Sequence, residues 1–410
     1  MNVVCVILGG GKGQRLWPLT RDRSKPAVPI AGKYRLVDIP ISNCIRSHLR
    51  QVYLLTQFNS VSLHAHIQST YRFDQFHRGF VRLLAAQQTP GSTAWYTGTA
   101  DAVRQSFQYF LDTEPDLIVV LSGDQLYKMN FTRVIKQHVR TGADVTISTK
   151  PVPRSVAGQL GIMQVGEKLR ITNFVEKPGT GKDLDPLRAP MYEEERYLAS
   201  MGIYVFNTGV LRELLSTDES DFGKDIIPSA IDSYKVFSSV FDGYWRDIGT
   251  IRSFWETNLS LTDPIPDFSF YDSRSQFYTH MRYLPPSKIN GCHVERCLLS
   301  EGSIISGARL NRAVVGIRMI VGEETTVEDS ILMGADDYDF NEGKDGLPHI
   351  GIGRNCVIKN AIIDKNARIG DGCHISSEGK PDDVDTELFT VRDGVIVVPK
   401  NTVIPPGTRL

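Results

Sequence analysis

The sequence predicts an α/β domain with a mostly parallel, mixed sheet, followed by a β-helix, and three observations lead to this prediction. Up to about residue 260, short apolar strands alternate with amphipathic helical segments, a pattern typical of a parallel sheet covered by helices. From about residue 289 an apolar residue recurs at every sixth position, which indicates the coils of a β-helix. The length of 410 residues also exceeds what a single hydrophobic core usually serves.

The first domain is expected to span residues 1–260. Its predicted strands are VVCVIL (3–8), VYLLT (52–56), LIVVLSG (117–123), DVTIST (144–149) and MGIYVFN (201–207). Its clearest predicted helices span residues 100–111 and 131–140. Ligands of such sheets bind beyond the carboxyl ends of the strands, so the residues directly after each strand are the first candidates for a site.

The second domain is expected to span residues 289–410, after a proline-containing linker at 261–288. Its six-residue registers are Cys292, Leu298, Ile304 and Leu310; Val315, Val321, Val327 and Met333; Val357, Ile363, Ile369 and Ile375; and Val398, Ile404 and Leu410. The registers are interrupted by a polar segment, residues 334–350, which is predicted to leave the solenoid as a loop.

Composition excludes several classes of partner. The formal net charge of −1 argues against a general nucleic-acid or membrane-surface partner. The apolar runs are far shorter than the roughly 18 residues of a membrane span. The six cysteines form no CxxC pair, which favours a reduced, cytoplasmic protein.

The stretch GGGKGQRLWP (9–18) follows the first strand directly. Glycines let a backbone press its N–H groups against an anion, and Lys12, Arg15 and Lys25 supply the positive charge that phosphates require. The spacing matches neither GxxxxGK[ST] nor GxGxxG. The stretch is therefore either a phosphate site of another kind or a structural turn.

Two aspartates are candidate metal ligands. Asp124 follows a predicted strand in LSGDQLY, and Asp247 lies in DGYWRDIGT. Two carboxylates with open coordination positions suit Mg²⁺, which bridges substrate phosphates. A lone aspartate after a strand is otherwise a turn or helix cap.

Further charges point to a sugar phosphate. FVEKPG supplies Glu176 and Lys177, and DFGKDIIP supplies Lys224. Each alone is typical of a solvated surface charge. Together with the glycine stretch they provide phosphate donors and an acid that can bind hydroxyl groups.

These motifs together resemble one family, the ADP-glucose pyrophosphorylases (glucose-1-phosphate adenylyltransferases) of bacterial and cyanobacterial-plant-like form. The similar stretches are GGGKGQRLWPLT, SKPAVPIAGKYRLVDIPISNC, LLAAQQT, WYTGTADAV, SGDQLY, FVEKP, SMGIYVF, DFGKDIIP, YWRDIGT and IDKNARIG. The resemblance covers nearly the whole chain. It implies a dinucleotide-fold nucleotidyltransferase domain followed by a left-handed parallel β-helix with a regulatory and oligomerisation role.

The resemblance also implies a role for each matching residue. The expected catalytic residues are Arg15, Lys25 and Asp124, and the expected Mg²⁺ ligands are Asp124 and Asp247. The expected nucleotide-binding residues are Gly9, Gly10, Gly11, Gly13 and Gln87. The expected glucose-1-phosphate-binding residues are Tyr96, Gly161, Glu176, Lys177, Ser200 and Lys224.

The implied reaction is ATP + α-D-glucose 1-phosphate → ADP-glucose + pyrophosphate, for synthesis of a glycogen- or starch-type glucan. One alternative is a pyrophosphorylase for another sugar or nucleotide. A second is a non-catalytic regulatory subunit of the same architecture, which would be expected to lose Arg15, Lys25 or Asp124, all of which this chain keeps.

The resemblance finally implies a homotetramer with an allosteric site. Its residues would be Arg23 and Arg35 from the segment after the glycine stretch, with Lys365 and Lys400 from the predicted β-helix. The expected activator is 3-phosphoglycerate, with fructose 1,6-bisphosphate as the second choice, and the expected inhibitor is orthophosphate. The alternative is that both lysines are ordinary surface charges.

Overall fold

The computed structural model describes residues 1–74, 76, 78–87, 95–179, 183–338 and 346–410. The chain forms two compact units. The first unit consists of Met1–Gly11, Ile39–Ser60 and Ile67–Trp245, and the second of Lys12–Asp38, Val61–His66 and Arg246–Leu410. None of the helices in the described ranges combines the length and apolarity needed to cross a membrane. The domain and linker bounds given above remain predictions.

The first unit is built on a mixed sheet. Its hydrogen-bonded strands follow the order Ile171–Val175, Ile162–Val165, Tyr197–Asn207, Leu117–Ser122, Val3–Leu8, Gln51–Thr56 and Phe80–Ala85. Val145–Val152 pairs with Tyr197–Asn207, and Val236–Val240 pairs with Val145–Val152. The last four strands of the order are parallel to one another, whereas Tyr197–Asn207 is antiparallel to Leu117–Ser122. This mixed sheet is the one that the sequence predicts.

All five predicted strands are present, because their apolar runs form the buried centre of the sheet. The strand predicted at 201–207 begins earlier, at Tyr197, and its register shifts between Ser200 and Tyr204. Gly202 lies inside this irregularity with φ +64°, a conformation that glycine adopts without strain. Four strands of this sheet were not predicted: Phe80–Ala85, Ile162–Val165, Ile171–Val175 and Val236–Val240. Phe80–Ala85 carries no clean apolar alternation, and its residues are only partly buried.

Helices flank the strands along the chain. Their bounds are Asp38–Arg46, Val61–Thr70, Thr99–Leu111, Phe131–Thr141, Arg154–Ala157, Thr208–Leu214, Ile227–Ser233 and Ile251–Ser260. The two predicted helices are thus confirmed to within one residue. Asn130 caps Phe131–Thr141 by accepting from the Thr132 N–H, and Gly142 ends it at φ 60°, as capping rules lead one to expect.

The second unit is dominated by parallel strands stacked coil upon coil. One sheet contains Lys288–Asn290, Ile304–Ser306, Ile320–Val321, Gly351–Ile352, Arg368–Ile369 and Val403–Ile404. The other contains His293–Leu299, Arg309–Val315, Thr326–Leu332, Val357–Lys359, Ala361–Ile363, His374–Ser376 and Val395–Val398, with Val384–Asp385 and Thr390–Arg392 as an antiparallel addition. Short strands at Pro29–Ile30 and Tyr34–Arg35 pair with each other. The chain also has short strands at Gln125–Tyr127 and Trp245–Asp247.

The six-residue registers largely describe the interior of these coils. Leu310, Val315, Val321, Val327, Ile363, Ile369, Ile375, Val398 and Ile404 belong to one buried core. At four positions the register is wrong by one residue. Ile305, Leu332 and Ile358 belong to this core in place of Ile304, Met333 and Val357, and Cys297 and Leu299 pack against it in place of Leu298. Side chains alternate along a strand, so a shift of one residue exchanges inside and outside. Of the predicted loop at 334–350, residues 339–345 lie outside the described residues.

The segment before the coils packs through aromatic side chains. Phe268, Phe270 and Phe277 form a cluster with ring centroids 5.0–5.6 Å apart. Tyr34 stacks on Phe270 at 4.4 Å. Phe268 and Phe277 are buried, so the segment predicted as a linker contributes its own small core.

Candidate functional site

The first three glycines after strand Val3–Leu8 lie in the first unit. The Gly9 N–H donates to the Leu55 carbonyl at 2.8 Å, which joins the ends of two neighbouring parallel strands. A Cβ added to Gly10 would lie 3.6 Å from Gln57 Cβ and 3.8 Å from the Tyr96 ring. A Cβ added to Gly11 would meet no described atom within 4 Å. The backbone at Gly11 therefore borders open space, as a ligand-binding loop requires.

Gly13, in the second unit, has a structural reason to be glycine. Its φ is +63°, and an added Cβ would lie 2.8 Å from Thr20 Cγ2 and 3.2 Å from Lys25 Cβ. The Thr20 hydroxyl donates to the Gly13 carbonyl at 3.0 Å. The sequence left two interpretations of the glycine stretch, a structural turn and a phosphate site. Gly13 fits the structural turn, whereas the open space at Gly11 fits a ligand-binding loop.

The turn begun by Gly13 carries Arg15 in the short helical segment Gln14–Leu16. Arg15 is exposed, and Asp247 is half-buried. A Cβ added to Gly249 would lie 2.6 Å from Asp247 Oδ2 and 3.2 Å from Arg15 Nη2. Gly249 therefore lets a guanidinium and a carboxylate approach the same point of the backbone. Lys25, half-buried, begins the segment Lys25–Ala27.

Asp124, in the first unit, directly follows the Leu117–Ser122 strand and its neighbour Gly123. Its carboxylate accepts a hydrogen bond from the Ser122 hydroxyl. The next residue, Gln125, is buried and accepts from the Trp245 indole N–H at 3.0 Å. Asp124 is thus held at the carboxyl end of a central strand, where the sequence predicts it.

The predicted sugar-phosphate residues gather around Glu176. A Cβ on Gly161 would lie 2.7 Å from Glu176 Oε2, and a Cβ on Gly223 would lie 2.9 Å from the same atom. The Lys177 ammonium donates to Glu176 Oε1 at 2.6 Å. The Ser200 N–H donates to the Gly161 carbonyl at 2.7 Å. The structure therefore brings Gly161, Glu176, Lys177 and Ser200 together; we call them the Glu176 cluster.

Lys224 lies one residue beyond Gly223 and is exposed. Asp221 Oδ1 accepts from the N–H groups of Gly223 and Lys224 at 2.9 and 3.1 Å. The Thr99 hydroxyl donates to Asp221 Oδ2 at 3.2 Å. Asp221 thus fixes the backbone that carries Lys224.

Tyr204 supports the Glu176 cluster and was not predicted from the sequence. Its hydroxyl lies 3.4 Å from Ser200 Oγ, and its ring stacks on Phe222 with centroids 5.7 Å apart. Burial raises the pKa of Tyr204 to about 12. The one signal in the sequence is its place in SMGIYVF, two residues after Gly202.

Gln87 and Tyr96 line a pocket of about 250 Å³ on the first unit. The Tyr109 hydroxyl donates to Gln87 Oε1 at 3.3 Å, and the Tyr96 and Ser106 hydroxyls lie 3.3 Å apart. Burial raises the pKa of Tyr96. Tyr96 also borders Gly10, as noted above.

The predicted allosteric residues all lie in the second unit, and Arg23 is the most deeply buried of them. Its guanidinium donates to both carboxylate oxygens of Asp364, at 2.9 and 3.0 Å. The side chains are 4% and 1% exposed, respectively. Such a two-pronged buried pair occupies the ligand-binding face of the guanidinium.

Lys365 and Lys400 share one carboxylate. The ammonium groups lie 2.5 and 3.1 Å from the two oxygens of Asp336. Burial lowers the pKa of Lys365 to about 8, although Asp336 opposes this shift. Burial acts to raise the pKa of Asp336, but Lys365 and Lys400 outweigh it and hold that pKa well below its ordinary value.

Arg35 and Arg282 complete this cluster, and Arg282 was not predicted. Burial lowers the pKa of Arg35 to about 10, against the effect of Asp38. Burial also lowers the pKa of Arg282. Both guanidinium groups act electrostatically on Lys365. We call Arg35, Arg282, Lys365, Lys400 and Asp336 the basic cluster.

Two models of known families match the chain. Residues 4–264 match the family model described as nucleotidyl transferase, and residues 282–408 match the GLGC left-handed parallel beta-helix domain. The first match covers more than half of the chain, so the chain belongs to the nucleotidyl transferase family. The two matches confirm the predicted fold class and give the architecture that ADP-glucose pyrophosphorylases have.

Proposed function

We propose that this member of the nucleotidyl transferase family is a glucose-1-phosphate adenylyltransferase. The observation that carries the proposal is the Glu176 cluster. Its carboxylate suits sugar hydroxyls, and beside it stands the Lys177 ammonium, whose side chain is 58% exposed and suits a phosphate. A sugar phosphate presents both groups at once. The motifs KYRLVDIPISNC and WYTGTADAV support the ADP-glucose branch through the resemblance.

The proposed reaction requires that the two substrates are positioned and that the charge of the phosphates is neutralised. A phosphate oxygen of glucose 1-phosphate attacks the α-phosphorus of ATP. A new P–O bond forms as the bond from that phosphorus to the β-phosphate oxygen breaks, and pyrophosphate leaves. The attacking oxygen is already ionised at neutral pH, so no general base is needed. Backbone N–H groups at Gly10 and Gly11 and the Arg15 guanidinium would stabilise the phosphate charge.

The proposed cofactor is Mg²⁺, with Asp124 and Asp247 as ligands. Each is a half-buried carboxylate, and this hard oxygen chemistry fits an ion that uses one or two carboxylates together with substrate phosphates. Among the described residues no group of three or more His, Cys, Asp or Glu side chains could hold a metal. When bound, Mg²⁺ would neutralise charge on the phosphates.

The test is the initial rate of sugar-nucleotide formation with ATP, UTP, dTTP and GTP, each with glucose 1-phosphate and with other sugar 1-phosphates. We expect ATP with glucose 1-phosphate to give the highest kcat/KM. A clear preference for another pair would make the chain a different pyrophosphorylase. No product with any pair, from folded protein, would support the regulatory-subunit alternative. Arg15→Ala serves as the inactive control.

We also propose that the basic cluster binds phosphorylated effectors, with 3-phosphoglycerate or fructose 1,6-bisphosphate as activator and orthophosphate as inhibitor. The four cations of the cluster, which act on the single carboxylate of Asp336, support effector binding. The test is the Lys365→Ala, Lys400→Ala double variant, assayed with each effector and compared with Lys359→Ala, a lysine paired with Glu328 elsewhere in the β-helix. Unchanged activation and inhibition would place the effector site elsewhere. The proposed homotetramer is tested by light scattering of the eluted protein.

A further inference from the structure

The Asp336 carboxylate covers the lysines of the basic cluster. Only 10% of the Lys365 side chain is exposed, whereas 42% of the Asp336 side chain is. The Asp336 carboxylate therefore forms the accessible side of the pair and Lys365 the inaccessible side. An anion that approaches Lys365 from solvent meets Asp336.

We propose that Asp336 is an internal competitor for the effector: its carboxylate occupies the position of an effector phosphate, and the effector binds by displacing it. The proposal rests on the regulatory role proposed for this cluster. It adds that affinity for an anion is set by a carboxylate as well as by the cations.

The arrangement of charges supports displacement. One carboxylate, carrying a single negative charge, lies on two lysines, and Arg35 and Arg282 repel Lys365 electrostatically. Among the five residues of the cluster, positive charge therefore exceeds negative charge with Asp336 in place, and outside the cluster Asp38 also acts on both arginines. A phosphate dianion brings two negative charges and more acceptor oxygens than the carboxylate it would replace. A singly charged anion gains little by the exchange.

The backbone at Asp336 is fixed, because its N–H donates to Asn366 Oδ1 at 2.8 Å. The carboxylate itself accepts from Asn366 Nδ2 at 3.0 Å. A change of side-chain rotamer would give up that one hydrogen bond and release both lysines without moving the chain. The Asp364 carboxylate cannot rotate away in the same manner, because it is almost completely buried against Arg23.

The experiment measures binding of inorganic phosphate to the whole protein by calorimetry at pH 7. We expect Asp336→Asn to bind phosphate at least about tenfold more tightly than wild type. The reason is that phosphate no longer has to displace a charge-assisted hydrogen bond between the Asp336 carboxylate and a lysine. Asp336→Glu keeps the charge and should stay close to wild type. Glu328→Gln removes the carboxylate partner of Lys359 and should change nothing. Unchanged or weaker phosphate binding by a folded Asp336→Asn protein overturns the proposal.

The Lys365→Ala, Lys400→Ala variant separates this proposal from the regulatory one. If that variant loses phosphate binding while Asp336→Asn binds like wild type, the competitor role is wrong and the site stands. If neither change affects phosphate binding, the site itself is elsewhere and both proposals fail. Should Asp336→Asn not fold, as judged by thermal melting, Asp336→Ser carries the same expectation.

Discussion

The predicted sugar-phosphate cations of the first unit and the predicted effector cations of the second unit are held in opposite ways. In the first unit Lys177 and Lys224 are exposed. In the second unit Arg23 and Lys365 are buried and bound to carboxylates of the protein itself, those of Asp364 and Asp336. An exposed cation keeps part of its hydration, even when it is paired as Lys177 is with Glu176, and can exchange water for a substrate. A buried cation has already exchanged water for a carboxylate of the protein, so a ligand has to compete with that carboxylate.

The same difference separates ligand binding from stability. An exposed ion pair such as Lys177–Glu176 contributes only about 0–1 kcal/mol to folding. Removing one partner of a buried pair leaves an unpaired charge in the interior, which costs much more. Residue type alone does not distinguish these roles. Substitutions at these residues can show which cations bind substrates and which stabilise the fold.

The largest effect is expected from Arg23→Ala. It leaves the Asp364 carboxylate buried without its guanidinium, and we expect a loss of about 3–5 kcal/mol in the free energy of unfolding. Urea denaturation followed by circular dichroism measures this. The control is the double substitution Arg23→Met with Asp364→Leu, which removes both charges and should recover much of the stability. A single variant as stable as wild type would mean that the pair is not structural.

Next in size is Asp124→Asn. We expect turnover to fall by at least about 10²-fold, the scale of losing one preorganised electrostatic group, with an unchanged melting temperature because Asp124 is only half-buried. Steady-state rates at saturating Mg²⁺ and both substrates measure the change. Near-normal turnover under these conditions contradicts the metal-ligand role.

Lys177→Ala should affect one substrate only. We expect the KM for glucose 1-phosphate to rise about ten- to a hundredfold, the equivalent of one charge-assisted contact, while the KM for ATP changes little. Stability should stay close to wild type, in contrast with Arg23→Ala. The control is Lys136→Ala, an exposed lysine on the helix Phe131–Thr141. Equal increases in both KM values would indicate a structural role for Lys177.

The sequence predicts best those elements whose structure is determined by residues close together in the chain. Strand Val3–Leu8 is predicted to the residue, because its apolar run is continuous. The coils of the β-helix repeat, so their period is visible in the sequence. Phe80–Ala85 was missed because it is only partly buried and interrupted by Arg82.

The site shows the same limit. Glu176, Lys177 and Ser200 are recognisable from short motifs, although nothing local says that they meet. Asp336 and Arg282 were missed altogether. Asp336 pairs with Lys365 and Lys400, and Arg282 acts electrostatically on Lys365, only once the chain has folded. Whether a lysine faces solvent or an internal carboxylate depends on contacts far apart in sequence.

The smallest predicted effect is a pH dependence that arises from Lys365. Its pKa is about 8 in the folded protein and ordinarily 10.5. Between these values the unfolded chain binds more protons at this residue than the folded protein does, so the contribution of Lys365 to stability increases as pH rises. Below pH 8 the burial of its charge costs the most, and above 10.5 that cost is gone.

The comparison is with Lys365→Met, which keeps the length of the side chain and removes its charge. We expect the free energy of unfolding of wild type, relative to this variant, to increase by about 1 kcal/mol between pH 8 and pH 9. Other groups that titrate in this range are common to both proteins, and their effects cancel in the difference. Denaturation curves at pH 7, 8 and 9 measure it. A difference that is constant with pH would show that Lys365 keeps an ordinary pKa and is hydrated like Lys177, and the contrast between the two units would then not extend to this lysine.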